Sequence, residues 1–332
     1  MVREYSYRCK DYSLLTPPFK KWVVEPLFKL VPRGIPANII TIVSNLFIYA
    51  SLYFAYNKEV LGSINWLVIP LFILLYLIGD HLDGMQAKKT GTGSALGEFC
   101  DHYHDSFNNG ILMMVICLLF DISNPYIVAG LIGVSYLAHT VVFYEQYKTG
   151  WLIFEKIGSL EAVMLTIFLL ISSYIPSVNS FYQLQYVGLT IIEWIMIASA
   201  LGAVGTLIKT INRIEHINYA FWIFLVSVVI SAYTSATMFS PFTIFIILTL
   251  YSSVYIGRLM QGHLIDGIER SPGLFTPILL IVLYFADFNY WTDFRIVIGA
   301  YLTLNVLMVI YKTTKPLRQY WVWWNPKTNE ST

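Results

Sequence analysis

Residues 80–105 read DHLDGMQAKKTGTGSALGEFCDHYHD, with five acids and three histidines set between hydrophobic runs. Acids inside membrane helices are costly and mark functional sites, so this block governs both the fold and the chemistry of the chain. The surrounding composition fixes the class. Of 332 residues, 57% are hydrophobic and only 12% charged, and the mean hydropathy is +0.62. A soluble globule of that composition would expose large apolar surfaces. The chain reads as an all-α polytopic membrane protein.

About 20 apolar residues cross a bilayer as a helix. On that ruler the predicted spans fall at 38–56, 64–80, 106–120, 125–145, 160–176, 185–207, 219–236, 241–260, 273–286 and 294–311, about ten in all. Turn residues such as Asn57-Lys58-Glu59 and Ser271-Pro272-Gly273 punctuate them. Upstream, Phe19, Trp22, Val23, Leu27 and Leu30 recur at helical spacing beside Lys20, Lys21 and Lys29, which predicts an amphipathic helix lying in the headgroup region. The first 35 residues hold no continuous hydrophobic segment of the signal-peptide kind. We read residues 1–332 as one integral membrane domain: an interfacial segment at 1–36, site helices at 37–147, further spans at 148–318 and a polar tail at 319–332.

Lys20, Lys21, Lys29 and Arg33 precede the first span, Lys88 and Lys89 sit within the acidic block, and Lys148, Lys209, Arg213, Arg258, Lys312, Lys315 and Arg318 close later ones. The positive-inside rule therefore puts the N-terminus and the acidic block on the cytoplasmic side. That membrane would be the endoplasmic reticulum in a eukaryote or the inner membrane in a bacterium. A net charge of +1 argues against nucleic acid as a partner, and Cys9, Cys100 and Cys117 form neither a metal motif nor a disulfide framework. Aromatics make up 16% of the chain, and WVWW at 321–324 reads as an interfacial anchor rather than a choline cage.

Asp80 and Asp83 lie three residues apart and Asp101 and Asp105 four apart, which puts each pair on one side of a helix. Four carboxylates facing one another repel strongly, and a hard divalent cation such as Mg²⁺, Mn²⁺ or Ca²⁺ resolves that. The connector carries Gly84, Ala87, Gly91, Gly93, Ser94, Ala95 and Gly97 with Lys88 and Lys89, so a ligand can approach closely beside positive charge. Cation, lysine and small residues together suit a diphosphate.

Asp80, Asp83, Gly84, Ala87, Gly97, Asp101 and Asp105 fall at the spacing DxxDGxxAR, eight residues, GxxxDxxxD. The block thus resembles the signature of the CDP-alcohol phosphotransferase family, with Lys88 in place of its Arg. GEFCDHYHDS at 97–106 is similar to the GELFDHGCDS of the choline and ethanolamine phosphotransferase branch, apart from Tyr103 and His104. EQYKTGWLIFEKIGSLEA at 145–162 and IPANIITIVSNL at 35–46 resemble two further segments of that branch.

The resemblance implies transfer of phosphocholine or phosphoethanolamine from a CDP-alcohol to a lipid hydroxyl, diacylglycerol-like, with release of CMP. It implies that Asp80, Asp83, Asp101 and Asp105 hold Mg²⁺ or Mn²⁺, with Asn38, Gly84, Ala87, Lys88, Gly97 and Glu161 at the substrates. Glu161 could equally cap a helix start. For the base that deprotonates the acceptor, Asp105 competes with His102, which Glu98 could orient from one turn earlier; we favour the Glu98–His102 pair, since a metal-bound carboxylate is the poorer base. His81 reads as an interface residue and His104 as an interior one. Alternatives are a ceramide acceptor, a CDP-diacylglycerol donor with a soluble alcohol, or an ion-coupled transporter. The acids are confined to one block and do not recur in the second half, which counts against a transporter. The small-residue surfaces of the later spans would permit a homodimer.

Overall fold

The computed structural model describes residues 5–286 and 291–318. WVWW at 321–324 and the tail from 319 lie outside the described residues. The elements run α1 (Thr16–Phe19), a π-helical turn (Lys20–Val24), α2 (Glu25–Phe28), α3 (Ala37–Tyr56), α4 (Asn65–Thr90), α5 (Ala95–Leu119) and α6 (Pro125–Thr149). There follow α7 (Ser159–Ser172), α8 (Pro176–Tyr182), α9 (Ile191–Arg213), α10 (Tyr219–Met238), α11 (Pro241–Gln261), α12 (Phe275–Ala286) and α13 (Trp291–Leu317). Among the described residues, seven helices are long and apolar enough to cross a membrane. They coincide with seven of the ten predicted stretches.

The other three differ for local reasons. The helices Ser159–Ser172 and Phe275–Ala286 are apolar but short. The stretch 106–120 is the apolar half of α5, whose other half carries Glu98, Asp101 and Asp105. The span predicted from 185 starts later, at Ile191: residues 185–190 form a small antiparallel hairpin, and Thr190 and Glu193 then cap α9 reciprocally. Large apolar side chains such as Leu71, Phe168, Val226 and Leu304 are exposed on these helices, as lipid-facing surfaces require.

The chain divides into two compact units, with the boundary inside α5. Of the described residues, one comprises 10–105, 154–181 and 314–318, the other 5–9, 106–153, 182–286 and 291–313. In the first, α4 packs against α3 and α7. Gly79 sets the α3–α4 spacing, because a Cβ there would lie 2.3 Å from Ser44 Cβ. The amphipathic segment expected before the first span folds as α1, the π turn and α2. It buries Phe19 and Val24 against the unit and leaves Trp22, Leu27 and Leu30 exposed beside Lys21 and Lys29. Pro26 has no N–H to donate to the Trp22 carbonyl, and the Glu25 N–H reaches back to Lys20 instead.

In the second unit, α6 packs against α9, α10 and α11. Its core is aromatic: Tyr144 stacks on Phe221 at 4.3 Å and Phe224 on Tyr255 at 4.5 Å. Buried Glu145 receives a two-pronged ion pair from Arg213, which satisfies a carboxylate that would otherwise be stranded among apolar helices.

Candidate active site

The site lies in the first unit, on the facing ends of α4 and α5 and the first turns of α3. Helix α4 ends where Gly91 adopts φ +65°, a left-handed cap whose N–H bonds the Ala87 carbonyl. Lys88 and Lys89 occupy the last turn, favourably placed at the negative end of the helix dipole. Three residues later the Ser94 hydroxyl accepts the Gly97 N–H at 3.1 Å and starts α5. The short GTGS link thus folds the two acidic helix ends back on each other.

Asp80, Asp101 and Asp105 converge, with one carboxylate oxygen of each within 4.8 Å of the others. Asp83 is not one of these three, but its carboxylate lies close enough to interact with those of Asp80 and Asp101. It is buried, 4% exposed, and its Oδ2 accepts a 2.5 Å hydrogen bond from Thr41 Oγ1 on α3. Three residues advance the side chain by about 300°, so Asp83 is offset by about 60° from Asp80 and reaches Thr41 of α3 as well. Asp105 is oriented in turn by Tyr76, whose hydroxyl donates to Oδ1 at 2.6 Å. Pairwise repulsion among three ionised carboxylates this close is about 3.5 kcal/mol at an effective dielectric of about 20. An all-oxygen set with that repulsion fits a hard divalent cation, and Mg²⁺ and Mn²⁺ both prefer such ligands.

Histidine 102 is buried one residue along, with Nε2 3.6 Å from Asp101 Oδ2. Glu98, one turn earlier, is buried as well. Asn38 packs against Gly97: a Cβ on that glycine would come 3.3 Å from Asn38 Oδ1. A Cβ on Gly84 would meet nothing within 4 Å, so open space and not protein packing adjoins it. Ala87 is partly covered, and Lys88 is exposed.

Glu161 acts as a cap and staple. Oε2 accepts the Gly158 N–H at 2.8 Å, and Oε1 accepts the Ser13 hydroxyl at 2.6 Å and the Leu15 N–H at 3.0 Å. Both oxygens are thereby committed to fastening the N-terminal segment to the start of α7. Tyr103 stacks on Phe99 at 4.8 Å and His104 Nδ1 bonds the Cys100 carbonyl at 2.5 Å, so both departures from the family pattern serve α5 itself. His81 Nδ1–H bonds the Leu77 carbonyl at 3.1 Å, and its ring packs edge-on against Phe19.

Sequence reasoning missed Gln86. It is fully buried, and its amide donates to the carbonyls of Pro32 at 2.8 Å and Ile35 at 2.7 Å, which holds the approach to α3 against α4 and so places Asn38 and Thr41. A glutamine within a signature-bearing helix was the available signal.

The CDP-alcohol phosphatidyltransferase family model matches residues 35–204. The chain belongs to this family. An uncharacterised class-I family member of Schizosaccharomyces pombe is 28% identical over 180 residues, covering 50% of this chain and 45% of that protein. Cholinephosphotransferase 1 of Gallus gallus is 26% identical over 200 residues, 57% of this chain and 58% of that one. A CDP-diacylglycerol--serine O-phosphatidyltransferase of Encephalitozoon cuniculi is 33% identical over 92 residues, 26% of this chain and 23% of its own length. The chain spans about half the length of the first two relatives. The family match includes every carboxylate of the aspartate cluster.

Proposed function

We propose that the protein transfers phosphocholine or phosphoethanolamine from a CDP-alcohol to a diacylglycerol-like hydroxyl, releasing CMP, in phospholipid biosynthesis. The convergence of Asp80, Asp101 and Asp105 within 4.8 Å carries this reading, because it supplies an oxygen-ligand site of the kind a diphosphate donor requires. These three residues and Asp83 beside them would hold Mg²⁺ or Mn²⁺, with Asp83 also fastening α3 to α4 through Thr41. The cation, when bound, neutralises diphosphate charge and polarises the attacked phosphorus. Lys88 adds a positive charge at the open side, and the bare faces of Gly84 and Gly97 let the donor lie close to the backbone. Tyr76 keeps Asp105 in place. His102, in a buried setting beside Asp101 and one turn from Glu98, takes the proton of the acceptor hydroxyl.

The site faces the cytoplasm in this reading, where the nucleotide enters, while the lipid acceptor arrives from the bilayer. General-base assistance is worth about 10²–10⁴-fold, so His102→Ala should lose at least about 100-fold in turnover with unchanged metal dependence. Wild-type turnover would move the role to Asp105. A second donor is favoured by one observation, the serine phosphatidyltransferase likeness over 92 residues. Mass spectrometry of lipid products, with CDP-choline, CDP-ethanolamine and CDP-diacylglycerol each offered to the purified chain, separates the two. Product from CDP-choline or CDP-ethanolamine with diacylglycerol supports the first reading. Product only from CDP-diacylglycerol with a soluble alcohol replaces it by the second.

A further inference from the structure

The second unit holds a cavity of about 230 Å³ where α11, the loop after it and α13 meet. It lies wholly within 258–312, beyond the segment matched by the family model. Three cations line it, Arg258, Arg270 and Lys312, and no carboxylate does. Two amides, Gln261 and Asn305, complete its polar wall, and Met308 with Val309 form an apolar one.

The cations are held in different ways. Arg258 gives one N–H to the Ser271 carbonyl at 2.8 Å, and a guanidinium has four more to offer. Arg270 is oriented by Asp266, which accepts from it at 2.5 and 3.2 Å. Lys312 is exposed and, among the described residues, has no acidic partner. Even after the Asp266 pair is counted, the wall keeps an excess of two positive charges. A guanidinium fork beside an ammonium is the arrangement that binds phosphate oxygens.

Position narrows the ligand. Leu304, Leu307 and Met308 of α13 are exposed apolar residues, and Lys312 follows one turn after Met308. The cavity therefore opens at the level where the lipid-facing surface of α13 gives way to charge. Its volume is below the roughly 300–1,000 Å³ of pockets that enclose a whole small molecule. It suits a headgroup whose acyl chains stay in the bilayer. Basic pockets between membrane helices on the positive side are where anionic headgroups settle.

We propose that this cavity binds the phosphate of an anionic phospholipid, at a site separate from the aspartate cluster and independent of the reaction assigned to it. The test uses the purified full chain in neutral detergent, followed by thermal unfolding and native mass spectrometry. Phosphatidic acid, phosphatidylcholine and inorganic phosphate are titrated separately into wild type, Arg258→Gln and Lys312→Gln. Phosphatidic acid should bind and raise the unfolding temperature, while any effect of phosphatidylcholine, a product of the proposed reaction, should be the same in wild type and both variants. Each cation removed should weaken binding about fivefold. Stabilisation by inorganic phosphate at similar concentrations would assign the site to free phosphate and overturn the lipid reading. No binding to wild type, or equal binding to wild type and Lys312→Gln, would overturn the site. Arg258 also holds a loop carbonyl, so the exposed Lys312 is the variant that decides if Arg258→Gln fails to fold.

Discussion

Replacing Gly79 by Ala should separate α3 from α4 and weaken both stability and activity. The new Cβ would lie 2.3 Å from Ser44 Cβ and 3.2 Å from its Oγ, against the roughly 3.5–4.0 Å at which two carbons pack favourably. The helices must part by more than about 1 Å or Ser44 must be displaced, and overpacking of this kind costs about 1–3 kcal/mol. Alanine's better helix propensity returns about 1 kcal/mol, so the net loss is about 0–2 kcal/mol. Ser44→Gly removes both offending atoms, leaving Ser44 Cα at 3.5 Å as the nearest neighbour, an ordinary contact. Alone it costs about 1 kcal/mol for a helical glycine and gives up the hydroxyl bond to the Thr41 carbonyl. The double variant should therefore be more stable than the sum of the singles by about 1–3 kcal/mol, the clash relieved, a coupling measured by thermal unfolding in detergent. CMP release should follow the same order, because the α3–α4 contact carries Thr41 to Asp83 less than one turn away. Additive effects within about 0.5 kcal/mol would refute this account of the crossing.

Thr41→Val should cost about 1.5–3 kcal/mol, since it strips a buried carboxylate of its short hydroxyl donor; the check is a fall in unfolding temperature that is much smaller in an Asp83→Asn background. Glu161→Ala removes three accepted hydrogen bonds and should expose the N-terminal segment to limited proteolysis before Ser13, while the affinity for Mn²⁺ at the aspartates stays within about twofold.

The membrane class, most helices and the acidic block were legible because they rest on composition, on the length of apolar runs and on fixed short spacings. Three things were not. That Asp83 also fastens α3 through Thr41 depends on a neighbour the spacing does not name, because intervals of three and four residues look equivalent until α3 is placed. Glu161 read as a substrate residue with a helix cap as the alternative, and nothing in the sequence signalled its bond to Ser13, almost 150 residues earlier in the chain. Gln86 carries no charge and fits no metal pattern, and its role exists only because the carbonyls of Pro32 and Ile35 come to lie beside α4. The helix starting at 191 was displaced by a capping box that hydropathy alone does not register.

On this reading the cluster of Asp80, Asp101 and Asp105 drives phosphoalcohol transfer with a divalent cation. The direct test is CMP release from CDP-choline and CDP-ethanolamine by the purified chain with diacylglycerol, titrated with Mn²⁺ and compared with Asp101→Asn. The account predicts release that is abolished by chelation, restored by Mn²⁺ or Mg²⁺, and reduced at least about 100-fold in Asp101→Asn with weaker Mn²⁺ binding. Release that persists in the chelator, or an Asp101→Asn variant with wild-type rate and Mn²⁺ affinity, would contradict it.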